Sequence, residues 1–230
     1  MRMKLIVLLT FNVLFVFWCS TSVMAKDFIV TTKDEIIGSS APIWDTFNNG
    51  DTIDISEMQG NELGRIMIPE DINSITIKGS ADKTYTKFNL TSSNAVSINL
   101  ENVKCSSSTG PSAFYLPENL QSIITATGTN IFIAADNSKC IIGNVTFKGD
   151  GDITIQSGMS TSESNIAHGI LGNVVFDHSG TVKVISGNGK YGTSSSYDGI
   201  SAGDAIHGNV ECKNNGTIIL DAGYGGRCLF

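Results

Sequence analysis

Residues 143–155 read GNVTFKGDGDITI, and the rest of the chain is laid out in variations on this stretch. GNVVF at 172–176 is followed by GTVKV at 180–184, and GNVEC at 208–212 by GTIIL at 216–220. NVKC at 102–105 reads as an earlier, weaker copy. Each unit is a turn, a short alternating strand, a Gly turn and a second alternating strand. A period of this size marks stacked supersecondary units, none of which can bury its apolar face alone.

The alternation places Val145/Phe147, Ile153/Ile155, Val174/Phe176, Val182/Val184 and Ile218/Leu220 on one face. An antiparallel sandwich alternates in the same way but does not set the same turn residues before the same strands. Stacked coils do, because every column reuses one local geometry. The recurrent Asn before Val suits a turn position that tolerates a left-handed backbone. It equally suits a side-chain ladder hydrogen-bonded from coil to coil. Cys105 and Cys212 fall in the column of Phe147 and Phe176, so both are expected to be buried free thiols. Cys140 and Cys228 are left undetermined.

A second repeat class pairs IPEDINSI at 68–75 with LPENLQSI at 116–123, each a Pro-Glu turn leading into a strand. With one coil per motif, the order is a Pro-Glu coil, an Asn-Val coil, a Pro-Glu coil and three Asn-Val coils. The 29 residues from Asn144 to Asn173 then fit one coil of three short strands, and the longer spacings need loops. Surface loops are expected near 106–113, 159–168 and 186–204. The last reads SGNGKYGTSSSYDGISAGD and has little to bury.

Upstream, residues 26–30 read as a strand. TKDE at 32–35 is a capping-box pattern, with Thr32 as N-cap and Glu35 reaching back. A short amphipathic helix carrying Ile36, Ile37, Trp44 and Phe47 should follow, interrupted at Gly38 and Pro42. NNGDTIDI at 48–55 then gives a turn and a strand with Ile53 and Ile55 inward. Over residues 28–56 this order of strand, helix and Gly-Asp-Thr-Ile turn resembles the N-terminal cap of pectate-lyase-like proteins. That resemblance implies a single-stranded right-handed parallel β-helix, all-β, with a short N-terminal capping helix. Residues 100–225 are also similar in repeat style to passenger regions of bacterial autotransporters and surface adhesins. The lyase members use an Asp cluster for calcium and a nearby basic residue, and neither maps onto this chain. The autotransporter likeness implies a membrane barrel of alternating strands after the passenger, so on that likeness the chain reads as a truncated passenger or an unanchored relative.

Residues 1–25 read as a signal peptide. Arg2 and Lys4 precede an apolar run at 5–18, broken only by Thr10 and Asn12, and Val23-Met24-Ala25 offers a small-x-small cleavage site. The run is shorter than the ~20 apolar residues of a spanning helix. Residues 26–60 are then an N-terminal cap with the first coil, and 61–230 the remaining coils. The formal net charge is −7, and losing Arg2 and Lys4 makes it more negative. Such a chain has no electrostatic footprint for nucleic acid or an anionic membrane. With 8% aromatics and 24 glycines it has the composition of strands and turns rather than helices.

No catalytic, cofactor or metal residue is assigned, and no cofactor is expected. His168, His178 and His207 read as surface loop residues. His168 and His207 fall at different offsets from Gly172 and Gly208, outside one column. A His/Asp site with Asp198 or Asp204 is the alternative, for metal or acid–base work. Asp150 and Asp152 are close enough in sequence for a glycosidase pair, but they sit in a Gly-Asp-Gly-Asp turn where such residues are expected anyway. Asn89, Asn144 and Asn215 fit the glycosylation acceptor pattern. The expected protein is secreted or surface-exposed and non-enzymatic, adhesin- or antigen-like, with a host surface or polysaccharide as partner through its loops. A polysaccharide-active enzyme or carbohydrate-binding module is the alternative. The C-terminal coil is expected to pair with another chain or to continue into a longer protein.

Overall fold

The computed structural model describes residues 25–106, 110–161, 166–189, 201–213 and 216–224. It is a parallel β-solenoid of about six turns. Among the described residues every strand pairing is parallel, which requires each strand to return to the same sheet one turn later. Three sheets run along the stack. The first has eight strands, from Asp27–Ile29 through Asn144–Gly149 and Val174–His178 to Val210–Cys212. The second has five, from Lys104–Cys105 through Thr129–Ile133 to Thr217–Asp221. The third has six: Arg65–Met67, Asn89–Thr91, Ser112–Tyr115, Lys139–Ile142, Ile170–Leu171 and Ile206–His207.

The alternating pattern becomes three inward columns. In the first sheet Ile75, Ile98, Ile124, Phe147 and Phe176 stack in register and are all buried. In the second the column is Cys105, Phe132, Ile155 and Val184. In the third it is Ile66, Leu90, Phe114, Ile141, Ile170 and Ile206. Phe88, Phe114 and Phe132 meet in the middle of the stack, with ring centroids 4.7 to 5.3 Å apart. Phe147 and Phe176 lie face to face at 5.7 Å.

One turn is shorter than the repeats suggest. Asn49 and Asn73 occupy successive turns only 24 residues apart, and the first-sheet strand Ser97–Glu101 lies between the two strands that follow the Pro-Glu motifs. The Pro-Glu repeat therefore spans two turns, as the order of one Asn-Val coil between two Pro-Glu coils expects, but the first-sheet strand of the intervening turn is Ser97–Glu101 rather than a strand at Asn102. NVKC at 102–105 is likewise not a copy of GNVTF: Cys105 pairs with Phe132 in the second sheet rather than with the Phe147 column. Cys105 is buried as expected. Cys212 is in the Phe176 register but exposed, because its strand has a neighbour on one side only among the described residues. Cys140 is a buried free thiol, and Cys228 lies outside the described residues. Burial pushes the Cys140 thiol up to about 12, which leaves it protonated and inert.

The Asn ladder is present. The Oδ1 of Asn144 accepts from the backbone N–H of Asn173 at 2.8 Å, and that of Asn173 from the N–H of Asn209 at 3.0 Å. Asn144 Nδ2 also donates to the Glu118 carbonyl. The positive φ belongs to the preceding glycines, not to these asparagines; of the tagged positions only Asn102 is left-handed, at φ 54°. The Asn thus satisfies a backbone donor at a corner where the ladder of strand hydrogen bonds is interrupted.

At the N-terminal end the expected amphipathic helix is replaced by two 3-10 turns, Lys33–Glu35 and Pro42–Asp45. Gly38, at φ +83°, and Pro42 break the run. Glu35 does reach back, its Oε1 accepting from the Thr32 N–H at 2.8 Å. Ile36, Ile43 and Phe47 are buried in the same core cluster as the first coils. The loop expected at 106–113 ends earlier than anticipated, because the strand Ser112–Tyr115 has begun. The edges of the other two loops are packed, with Ser160, Ala167 and Ala202 buried. Their centres lie outside the described residues.

Candidate functional site

The third sheet carries the surface features that can do chemistry. Its outward column runs Met67, Thr91, Tyr115, Ile142, Leu171 and His207, in register from strand to strand. At the N-terminal end of this face two adjoining hollows of about 470 and 340 Å³ share Arg65, Thr91 and Tyr115. Pro69 and Glu70 wall the first, Gly110 and Pro111 the second. Stacked strands spaced ~4.8 Å apart make such a face a groove that runs along the stack. Tyr115 is 44% exposed, which is unusual for a large ring on a sheet face. Arg65 is exposed and makes no ion pair among the described residues. An open ring and an unpaired guanidinium with five donors, both lining the two hollows, form a binding surface. Glu70 is the one carboxylate among the described lining residues. Hydrolysis of a glycosidic bond by the usual route needs two, ~5–9.5 Å apart.

The opposite end of the same sheet brings together residues that the sequence offsets separate. His168 precedes the strand Ile170–Leu171, and His207 ends the strand Ile206–His207 one turn later. Asp204 lies between them: its Oδ2 is 2.9 Å from His207 Nδ1 and 3.5 Å from His168 Nδ1. The backbone N–H of Asp204 donates to His168 Nδ1 at 3.0 Å, and the two rings are 4.7 Å apart. His168 is in register with Asp204, 36 residues on, and His207 lies three residues beyond Asp204, so the two rings converge on that carboxylate without sharing a column.

His168 is largely buried, and burial, followed by the neighbouring His207, lowers its pKa to about 4 against the opposing pull of Asp204. Its folded-state pKa is thus below the ordinary value near 6.5. Between pH 6.5 and 4 the unfolded chain binds a proton here that the folded chain does not, so stability falls as the pH falls through that window. Denaturant midpoints measured at pH 7 and pH 5 should therefore differ by up to about 2 kcal/mol for this residue. The difference should shrink in His168→Gln.

The other sequence candidates are structural. His178 is buried, not on a loop, and its Nε2 donates to the Gly151 carbonyl of the previous turn at 2.6 Å. Asp152 is exposed and its Oδ1 accepts from the Thr181 N–H at 3.1 Å, a rung-to-rung bond of the Asn-ladder type. Asp150 is exposed in the adjoining turn. Asn89 is buried with its amide donating to the Ser112 carbonyl at 2.7 Å, which leaves no room for a glycan. Asn144 is committed to the ladder. Asp198 and Asn215 lie outside the described residues. The Arg65–Tyr115 groove has no local signature, because its residues come together only through register across turns.

No family model matches the chain, and no curated protein and no solved structure matches it either. The class of protein is therefore defined by the fold alone, a parallel β-solenoid. No helix among the described residues is long and apolar enough to cross a membrane.

Proposed function

We propose that this is a secreted or surface-exposed β-solenoid that binds polysaccharide in the groove on its third sheet, without catalysing its cleavage. The observation that carries the reading is that the exposed Tyr115 ring and the unpaired Arg65 line the same two adjoining hollows. Sugar rings stack their apolar C–H faces on aromatic rings and offer hydroxyls to a planar guanidinium. The net charge of −7 works against a densely anionic polymer, whose approach the whole molecule would oppose. A neutral or sparsely charged polysaccharide fits better. Export rests on the leader-like pattern of residues 1–25. Of the loops expected to meet partners, 106–113 borders this groove through Gly110 and Pro111.

The reading predicts retardation of the purified protein in gels containing a neutral polysaccharide, tested across a panel that includes acidic polymers. Tyr115→Ala and Arg65→Ala are each expected to weaken binding about tenfold, with the fold intact because both side chains face solvent. Binding by the parent protein that neither substitution alters would place the ligand elsewhere. Accumulation of new reducing ends or unsaturated products in the same mixtures would instead make it an enzyme.

A further inference from the structure

The cluster of His168, Asp204 and His207 lies outside the groove and supplies the donor types of a transition-metal site. We propose that it binds one divalent cation of the zinc class through these three side chains. One donor atom from each residue lies within 4.8 Å of those of the other two. Donors held ~2.0–2.2 Å from a tetrahedral ion lie roughly 3.3–3.6 Å from each other. The 3.5 Å between His168 Nδ1 and Asp204 Oδ2 already fits, and the 2.9 Å between His207 Nδ1 and Asp204 Oδ2 needs to open by a few tenths of an ångström.

Two imidazoles and one carboxylate favour zinc, cobalt, nickel or copper over calcium or magnesium, which take all-oxygen sites. Three protein donors leave the fourth tetrahedral position for water. His168 presents its Nδ1 to Asp204 from a largely buried position, while His207 is partly exposed, which gives the ion a way in. Two things compete with the ion. Coordination at His168 Nδ1 displaces the hydrogen bond from the Asp204 N–H, and coordination at His207 Nδ1 displaces that nitrogen's bond to Asp204 Oδ2, leaving the ring's proton on Nε2. Lys139 is the nearby cation, close enough to act on His168. Asp204 offsets it. The backbone frame is preformed, because the main chain on either side is pinned between turns by the Gly169 N–H bond to the Asp204 carbonyl and the Ile170 bond to Ala205.

The test is titration of the purified, chelator-treated chain with Zn²⁺ by calorimetry, and with Co²⁺ by visible absorption. One equivalent should bind, and Co²⁺ should show the intense bands of a four-coordinate ion. His207→Ala, a half-exposed position whose loss leaves the fold intact, is expected to weaken binding at least tenfold, and Asp204→Asn to do so as well. His178 is the one histidine of the chain outside the cluster, and His178→Gln should leave binding unchanged. Absence of one-equivalent binding, or binding that His207→Ala does not weaken, overturns the proposal.

Discussion

Replacing Gly172 by alanine is expected to cost about 3 kcal/mol or more of stability, read as a large fall in denaturant midpoint. Gly172 stands in a column of corner glycines with Gly143 and Gly208. Its φ is +148°, and a Cβ placed there would lie 2.3 Å from the Gly143 carbonyl oxygen of the turn below. That oxygen belongs to backbone, so no side chain can swing away to make room. Backbone strain and overpacking each cost roughly 1–3 kcal/mol. The neighbouring Asn173→Ala provides the comparison, since it removes a ladder hydrogen bond with no clash and should cost only about 1 kcal/mol. A Gly172→Ala midpoint no lower than that of Asn173→Ala would mean that successive turns can separate at the corner.

The second large effect is expected in the middle of the core. Phe132→Ala should destabilise by about 3–5 kcal/mol, the range for emptying a buried aromatic site. The ring is fully buried and touches Phe88 and Phe114 in tilted and edge-on geometries. These three rings come from different turns, so a void here cannot be closed by moving one strand without breaking its register with both neighbours. Phe132→Leu should recover most of the loss. Equal losses for Ala and Leu would show that ring-to-ring geometry, rather than filled volume, holds the site together.

The parts of this architecture that could be read from the sequence are those in which one turn announces itself. The tagged strands at 144, 174 and 210, their inward Val and Phe positions and the corner glycines all follow from alternation plus repetition, and all lie where the repeat puts them. The strand Ser97–Glu101 carries inward Ile98 and Leu100 without the turn tag, so the repeat marks its turn only through NVKC at 102–105, which belongs to the second sheet. Cys212 has the right register, but its neighbours on one side are lacking among the described residues, and local pattern contains no information about that. The offsets of His168 and His207 place them in different columns, and so they are; the contact is made by Asp204, which shares the register of His168 and lies three residues before His207. The groove was hidden for a related reason: Arg65 and Tyr115 are two turns apart, and nothing local links them.

Neighbouring turns of this stack are joined by contacts spanning 24, 29 and 36 residues in different places. The entropy of closing a flexible segment grows only with the logarithm of its length, so the longest of these costs roughly 0.4 kcal/mol more to close than the shortest. Lengthening an excursion is therefore thermodynamically cheap, provided that its two ends re-enter the columns at the same corner. The stack can hold its rungs fixed while the chain between them grows, and new surface can be added at a single turn without disturbing the packing above or below it.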